Sequence, residues 1–174
     1  GIIFSSSCTV YGQPDILPVT EEAPIKVAES PYGNTKQINE EIIRDTVASG
    51  APINAIMLRY FNPIGAHPTS LIGELPNGVP QNLIPYLTQT AIGIREKLSV
   101  FGDDYDTPDG SCIRDYIYVV DLAKAHVIAM DRILNHKQKD KVEVFNIGTG
   151  RGLSVLELIK AFEAATGVKL NYQI

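Results

Sequence analysis

A tyrosine and a lysine four positions apart could perform acid–base chemistry in this sequence. Tyr32 and Lys36 lie in the stretch SPYGNTK, where a helix is predicted to begin. Residues at i and i+4 of a helix share one face, so the ammonium group can lie beside the phenol. A cation within about 4–6 Å favours the phenolate and makes a tyrosine a better base. Such a pair also occurs on ordinary helix surfaces, so the surrounding residues have to decide its role.

Three consecutive serines follow the first predicted strand. The apolar run at 2–4 continues into Ser5, Ser6 and Ser7. Ligands of open α/β sheets bind at the carboxyl ends of strands, which places a serine hydroxyl beside the helix that begins near Tyr32. One hydroxyl and the phenol could then contact the same substrate oxygen. Serines in loops also bond to nearby backbone groups, and we expect this of at least one of the three.

Short β-branched segments alternate with longer amphipathic segments along the chain. Strands are predicted near 2–6, 53–60, 98–101 and 143–147, and helices near 31–48, 81–94, 120–134 and 154–166. This alternation predicts an α/β fold with a mostly parallel sheet. The chain starts inside an apolar strand and ends on a further alternating segment at 170–174, so we expect a fragment of a longer protein.

Two of the predicted helices have distinctive patterns. The apolar stripe predicted for helix 31–48 consists of Ile38, Ile42 and Ile43. Its charged residues are predicted to face water: Glu40, Glu41, Arg44 and Asp45. Helix 154–166 opens with a capping box of Ser154 and Glu157 and ends before Gly167.

The net charge of −5 argues against a protein that coats nucleic acid or an anionic membrane. No apolar run approaches the roughly 20 residues that a membrane helix needs. Cys8 and Cys112 fit no metal-ligand spacing, so we expect no metal site and a reducing, cytoplasmic setting. Both thiols are predicted to be buried and without a function.

The stretch NIGTGRG, 146–152, lies between a predicted strand and a helix, as a dinucleotide fingerprint would. A G-x-G-x-x-G motif beginning at Gly148 needs glycine at position 153, which is Leu153. We therefore predict only a flexible strand-to-helix turn. Two Gly- and Pro-rich loops, at 62–80 and 102–114, are long enough to favour a functional role.

Taken in order, the motifs of nearly the whole chain resemble those of the extended short-chain dehydrogenase/reductases, and within them the UDP-galactose 4-epimerases. The segments that carry the resemblance are SSSCTVYG, SPYGNTK, RYFNPIGAH, VPQNLIPY, VFGDDYDTPDG and RDYIYVVDLAKAH. The resemblance implies an isomerase of galactose metabolism that interconverts UDP-glucose and UDP-galactose with NAD. C4 of the sugar is oxidised transiently, the 4-keto sugar rotates, and it is reduced again. The family commonly has lysine at Asn34 and serine at Thr35, and both departures lie outside the Tyr32–Lys36 pair.

The resemblance also implies a role for each candidate residue. Tyr32 is the general base, Lys36 holds the nicotinamide ribose and tunes the phenol, and Ser7 shares the proton path. The implied cofactor contacts are Ser5, Ser6, Tyr32, Lys36, Tyr60 and Pro63. The implied substrate contacts are Ser7, Phe61, Asn62, Asn82, Leu83, Ser99, Phe101 and Arg114. Without the resemblance, Asn82 would be interpreted as a helix cap, Phe101 as core and Arg114 as part of a surface ion pair.

The implied architecture is the second half of a doubly wound, Rossmann-like parallel sheet plus most of a smaller α/β substrate domain. The remainder of the NAD-binding domain would comprise 1–63 and 116–150, and the UDP-sugar domain 64–115 and 151–174. The Gly-rich fingerprint of the family is expected before residue 1, so this chain alone is expected to be inactive. The full-length protein is expected to be a homodimer that binds neither nucleic acid nor membranes.

Two alternatives to the epimerase remain at this stage. A nucleotide-sugar 4,6-dehydratase resembles the same fold but carries Asp-Glu after the strand-end hydroxyl, where this chain has Cys8 and Thr9. That difference disfavours the dehydratase. A non-catalytic nucleotide-sugar-binding fragment stays possible because the cofactor fingerprint is not in these residues.

Overall fold

The computed structural model describes residues 1–174. Its strands are β1 (Ile2–Ser7), β2 (Ala55–Tyr60), β3 (Asn62–Ile64), β4 (Leu98–Ser99), β5 (Ile113–Tyr118), β6 (Val142–Ile147), β7 (Gly152–Ser154) and β8 (Tyr172–Gln173). Its helices are α1 (Pro31–Ala48), α2 (Leu83–Ala91), α3 (Val119–Leu134) and α4 (Val155–Thr166). A short 3₁₀ helix, Cys8–Tyr11, follows β1. No helix has the length and the apolar composition to cross a membrane.

The central sheet has the order β1-β2-β6, and all of its strands are parallel. Ser7 lies opposite Tyr60, and Tyr60 lies opposite Ile147, so the three strands end at the same edge. The predicted α/β class with parallel strands is confirmed. The serines after the apolar run are part of β1 itself, which extends the strand to Ser7.

Strands β3, β5 and β7 were not predicted. Strand β5 pairs in parallel with β3 and antiparallel with β7, and α3 follows it without a loop. The charged residues Arg114 and Asp115 interrupt the apolar alternation of β5, which hides the strand in the sequence. The domain boundary expected between 115 and 116 falls within this strand.

Two separate apolar clusters stabilise the chain. The first lies between the parallel sheet and α3 and is centred on Ile56, Leu58 and Ala129. The second joins α2, α4 and the strands β4 and β8, and it consists of Leu87, Leu98, Val100, Leu158, Ile159 and Leu170. The long loop at 62–80 precedes the residues of the second cluster in sequence, and the loop at 102–114 lies between Val100 and Leu158.

Helix α1 is rotated relative to the prediction. Ile38 and Ile42 are 45% and 56% exposed, whereas Glu40 is only 4% exposed. The predicted apolar stripe is therefore wrong for these two isoleucines, and the assignment of Glu40 to the water-facing side is wrong. The physical reason is Arg59 on β2, whose buried guanidinium requires a carboxylate partner from the helix above it.

Helix α4 has the predicted ends. The Ser154 side chain accepts a bond from the Glu157 amide, and the Glu157 carboxylate accepts one from the Ser154 amide. Gly167 ends the helix in a left-handed conformation with φ 73°. The capping box and the terminal glycine are therefore confirmed.

Candidate active site

Lys36 and Tyr32 lie together at the carboxyl end of β1. The Lys36 Nζ donates to the Ser5 carbonyl at 2.9 Å and lies 5.3 Å from the centroid of the Tyr32 ring. Ser30 caps the start of α1 by accepting a bond from the Gly33 amide at 3.1 Å. The predicted proximity of phenol and ammonium is confirmed. Tyr32 is 52% exposed, so a ligand can approach it.

The three serines have three different partners. The Ser6 hydroxyl donates to Glu40 Oε1 at 2.6 Å inside the protein, and Ser6 as a whole is buried. The Ser7 hydroxyl accepts a bond from the Thr9 amide at 3.3 Å and starts the 3₁₀ helix. The local backbone bond expected of at least one serine is thus confirmed for Ser7.

Ser5 pairs with a histidine that the sequence analysis did not identify. The Ser5 hydroxyl lies 3.2 Å from His126 Nε2, and His126 Nδ1 lies 2.9 Å from the Leu122 carbonyl. A carbonyl only accepts, so Nδ1 carries the proton and Nε2 accepts from the Ser5 hydroxyl. The His126 and Tyr60 ring centroids are 6.2 Å apart. Ser5 and His126 are 121 residues apart, and no local pattern predicts such a contact.

A buried network of polar side chains connects α1, the 3₁₀ helix and the strands β2 and β6. Arg59 Nε donates to Glu40 Oε1 at 2.9 Å, and Arg59 Nη1 donates to the Tyr11 hydroxyl at 2.9 Å. The Tyr11 hydroxyl in turn donates to Asn146 Oδ1 at 2.6 Å. Burial opposes ionisation of Glu40, but the hydrogen bonds from Arg59 and Ser6 outweigh it and hold the pKa of Glu40 below its ordinary value.

A cavity of about 600 Å³ lies beside this edge. The predicted substrate-binding residues that line it are Asn62, Asn82, Leu83, Ser99, Phe101 and Arg114. Pro63, predicted to contact the cofactor, also lines it. Ser7 and Phe61 do not line it, and neither do Tyr32, Lys36 and Tyr60. The structure therefore brings most of the predicted substrate ligands together and leaves the predicted catalytic residues outside this cavity.

Further residues line the cavity that the sequence analysis did not single out: Glu74, Tyr86, Tyr105, Cys112 and Tyr116. Their position inside the long Gly- and Pro-rich loops, or next to them, was the only feature of the sequence that could have indicated them.

The two cysteines are less buried than predicted. Cys112 is half-buried and lines the cavity, and Cys8 is also half-buried, so the expectation that both thiols are buried is wrong. Burial raises the pKa of the Cys8 thiol.

The residues around the cavity make few bonds within the protein. Phe101 is 84% exposed, so it is not core. Arg114 is exposed, donates to the Ile113 carbonyl at 2.8 Å, and forms no ion pair. Asn82 occupies the N-cap position of α2 without a capping bond, and its amide donates to Glu74 at 3.1 Å. In this structure Phe101 is therefore outside the core, Arg114 is in no ion pair, and Asn82 makes no side-chain capping bond.

Asp115 holds the turn at 146–152 in place. Its carboxylate accepts bonds from the backbone amides of Thr149 and Gly150, both at 2.9 Å, and its carbonyl accepts from the Asn62 amide at 3.1 Å. A Cβ on Gly148 would lie 2.7 Å from the Asp115 carboxylate, so a larger residue there would displace the group that holds the turn. The turn is thus bonded to β5, and the amides of Thr149 and Gly150 are already used.

The geometry supports proton transfer at the sheet edge and anion binding in the cavity. Tyr32 can exchange a proton with a ligand there while Lys36 supplies a nearby positive charge. In the cavity, the Arg114 guanidinium and the N-terminus of α2 both favour a phosphate or diphosphate.

Comparison with known proteins gives a consistent result. Residues 1–148 match the family described as NAD dependent epimerase/dehydratase family. The UDP-glucose 4-epimerase of Dictyostelium discoideum is 53% identical over 173 residues, which cover 99% of this chain and 49% of that protein. The chain spans about half the length of the curated relatives that it matches.

Solved structures agree with the fold. The crystal structure of UDP-glucose 4-epimerase from Bifidobacterium longum in complex with NAD+ and UDP matches with a TM-score of 0.93 at 52% identity, over 99% of this chain and 50% of that chain. UDP-glucose-4-epimerase from Stenotrophomonas maltophila with bound NAD and formylated UDP-arabinopyranose gives a TM-score of 0.93 at 49% identity, over 99% and 51% of the two chains. The predicted Rossmann-like α/β architecture is confirmed.

Proposed function

This chain belongs to the NAD dependent epimerase/dehydratase family, and we propose from that premise that the full-length protein interconverts UDP-glucose and UDP-galactose with NAD as its cofactor. The observation that carries the proposal is the cavity of about 600 Å³, because it collects an arginine, two asparagines and an exposed phenylalanine without internal ion pairing. These groups suit a nucleoside diphosphate. The names of the relatives support the same activity.

The sheet edge fits the nicotinamide end of NAD. Lys36 uses one N–H on the Ser5 carbonyl and retains two donors for a ribose. Tyr60, Pro63 and the end of β1 at Ser5 and Ser6 are proposed to complete this subsite. When bound, NAD supplies a reversible hydride acceptor for the sugar C4. The 174 residues contain no G-x-G-x-x-G motif, so we propose that they bind only the nicotinamide end of NAD.

The chemistry of this chain is a reversible proton transfer. Tyr32 accepts the proton of the 4-hydroxyl group as C4 is oxidised, and Lys36 stabilises the charged phenolate that acts as base. The Ser7 hydroxyl is proposed to share the proton with Tyr32 and the sugar oxygen. After the 4-keto sugar has turned its other face, the phenol returns the proton to the same oxygen. No net oxidation results, and the product differs only in the configuration at C4.

The cavity is proposed to bind the rest of the substrate. Arg114 pairs with a diphosphate oxygen, and Asn62, Asn82 and the amide of Leu83 donate to the same group. Phe101 stacks on uracil, with Ser99 at its edge and Phe61 between sugar and sheet. The Asn82 side-chain amide has two N–H donors and uses one of them on Glu74, so the second remains for the diphosphate.

The division into an NAD-binding part, 1–63 and 116–150, and a UDP-sugar part, 64–115 and 151–174, remains a proposal. The two apolar clusters support it, because the first lies in the former ranges and the second in the latter. Strand β5 crosses the boundary and joins the parts through β3 and β7.

A homodimer is proposed for the full-length protein. Ile38 and Ile42 expose an apolar patch on the outer face of α1, which a second copy could cover. Light scattering of an Ile42→Glu variant tests this, and an unchanged dimer mass would exclude the patch as the dimer interface.

A cytoplasmic location is also proposed. Cys8 and Cys112 are unpaired, which fits a reducing compartment such as the cytoplasm, and cell fractionation tests this location.

The deciding experiment uses the purified full-length protein. We expect it to release a nicotinamide cofactor on denaturation and to convert UDP-galactose into UDP-glucose without added reductant. A preparation without nicotinamide that still binds UDP would favour the non-catalytic alternative. A stable 4-keto-6-deoxy product would favour the dehydratase, which is disfavoured because Cys8 and Thr9 offer no acid–base pair.

A further inference from the structure

Helix α1 carries Tyr32 and Lys36, yet it is attached to the sheet by few apolar contacts. Its fully buried residues are Gly33, Glu40 and Val47. The isoleucines that would normally form an apolar stripe include Ile38 and Ile42, and both are exposed. The position of α1 on the sheet therefore depends strongly on its polar contacts.

Those polar contacts lie on one face and reach two strands. Glu40 accepts from Ser6 on β1 at 2.6 Å and from Arg59 Nε on β2 at 2.9 Å. Lys36 donates to the Ser5 carbonyl at 2.9 Å. Gln37 donates to the carbonyls of Val10 at 2.8 Å and Lys26 at 2.6 Å. Of these, only Glu40 joins α1 directly to both β1 and β2.

The spacing couples this contact to the candidate catalytic residues. Tyr32, Lys36 and Glu40 are separated by successive steps of four, so they share a helix face and lie about 6 Å apart along its axis. Lys36 and Glu40 bond to Ser5 and Ser6, which are consecutive residues of β1. A shift of Glu40 along the strand would therefore move Lys36 and Tyr32 with it.

The energetics argue against stability as the main role of the Glu40–Arg59 pair. Both side chains are at least nine-tenths buried. Removing two charges from water offsets most of their attraction, and replacing a buried pair by apolar residues is often neutral or stabilising. An apolar contact would hold the helix equally well but would specify its register less sharply. The bonds of a carboxylate and a guanidinium fix both distance and direction.

We infer that Glu40 and Arg59 are positioning residues for the proposed proton transfer: their buried pair sets the register of α1 on β1 and β2, and so places the Tyr32 phenol and the Lys36 ammonium. The inference rests on the proposed epimerase activity. It assigns no contact with substrate or cofactor to either residue.

The test replaces the pair in the full-length enzyme with apolar residues of similar volume, Glu40→Met together with Arg59→Leu. We expect a folded protein whose kcat for UDP-galactose falls on the order of 10²-fold, as a misplacement of about 1 Å can cause. The KM should change less than about 3-fold, because the cavity residues are untouched. A folded double variant with wild-type kcat would overturn the inference.

Tyr11→Phe is the matched control. Tyr11 is equally buried and also bonds to Arg59, but through Nη1, which does not bond to Glu40. This variant removes a hydrogen bond of the same network and leaves Glu40 paired, so kcat should stay within about 2-fold. If Tyr11→Phe lowers kcat as much as the double variant, the network acts only through general stability and the inference fails.

Ser6→Ala keeps the test decisive if the double variant does not fold. It removes the 2.6 Å bond between Glu40 and β1 but leaves the ion pair. A loss of kcat larger than that of Tyr11→Phe, at unchanged KM, supports the inference, and no loss contradicts it. Tyr32→Phe is assayed in parallel. If that variant keeps its rate, the proposed function itself is wrong; if only the positioning variants keep theirs, the inference alone fails.

Discussion

At the carboxyl edge of β1-β2-β6, the side chains of Ser5, Ser6 and Lys36 are bonded to other groups of the protein, whereas around the cavity the side chains of Arg114 and Phe101 remain open to solvent. Lys36 is bonded to the Ser5 carbonyl and Arg59 to Glu40. In the cavity, Phe101 is 84% exposed and Arg114 forms no ion pair. The two regions are neighbours, but only the first contains a buried ion pair, that of Arg59 and Glu40.

This difference separates two tasks. A group that acts on a reacting atom loses rate when it is misplaced, so internal bonds that fix it beforehand contribute to kcat. A group that neutralises a phosphate interacts in the ground state and in the transition state alike, so it contributes mainly to affinity. Substitutions at the sheet edge should therefore lower kcat, and substitutions in the cavity should raise KM.

The largest effect is expected for Tyr32→Phe. The change removes the phenol oxygen that is proposed to accept the proton of the 4-hydroxyl group, and such general bases contribute on the order of 10²–10⁴-fold to the rate. The KM for UDP-galactose should stay near the wild-type value. Steady-state kinetics of the full-length enzyme measure both. Tyr172→Phe, an exposed tyrosine on β8, is the control. A near-normal rate for Tyr32→Phe would reduce Tyr32 to an ordinary surface residue.

The second effect is expected for Arg114→Ala. Loss of a charge-assisted bond to diphosphate weakens binding by about 1.5–3 kcal/mol, or roughly 10- to 150-fold in KM. The kcat should change much less. Isothermal titration with UDP measures the affinity directly, and Arg151→Ala on the turn after β6 serves as an arginine control outside the cavity. An unchanged affinity together with a collapsed kcat would show that the two regions do not divide the work in this way.

The sequence predicts those parts of the molecule that depend on local spacing. Ser154, Glu157 and Gly167 define α4 because caps act within one helical turn. The proximity of Tyr32 and Lys36 follows from the helical repeat in the same way. The grouping of the cavity residues came from the resemblance of whole motifs, since Asn62 and Arg114 carry no local signal of a shared site.

Long-range polar contacts could not be predicted. Glu40 lies between Asn39 and Glu41, which are polar and exposed, so only Arg59 on β2 decides that it is buried. Strand β5 does not alternate apolar and polar residues, because its Asp115 bonds to the backbone of the turn at Thr149. His126 meets Ser5 across 121 residues. In each case a partner distant in the chain overrides the local pattern.

A third effect is expected for Phe101→Ala. If the exposed ring stacks on uracil, its removal should weaken UDP binding by about 1–3 kcal/mol. The melting temperature should hardly change, because the ring is not part of a core. Phe101→Tyr keeps an aromatic face and should retain most of the affinity. If both variants bind UDP normally, Phe101 does not contribute to nucleotide binding and does not belong to the proposed substrate site.

The smallest effect concerns the stability of the sheet edge at low pH. The pKa of Glu40 lies below its ordinary value of 4.5 in the folded protein, because the bonds from Arg59 and Ser6 outweigh the opposing effect of burial. A lowered pKa stabilises the fold above the ordinary value, and the stabilisation is lost as the pH falls through the folded pKa. Glu40→Gln should therefore lower the melting temperature of the full-length protein most at pH 6–7, and the gap from wild type should narrow below about pH 4.5.

Thermal melts between about pH 3 and pH 7 measure this gap. Glu41→Gln is the matched control, since it removes the adjacent, exposed carboxylate and leaves the buried pair intact. Its melting curve should follow that of the wild type at each pH, because surface carboxylates contribute little to stability. The contrast between the sheet edge and the cavity assumes that Arg59 and Ser6 keep Glu40 ionised in the folded protein. A gap for Glu40→Gln that is as large at low pH as at neutral pH would mean that the shape of this side chain, and not its charge, secures α1 to the sheet.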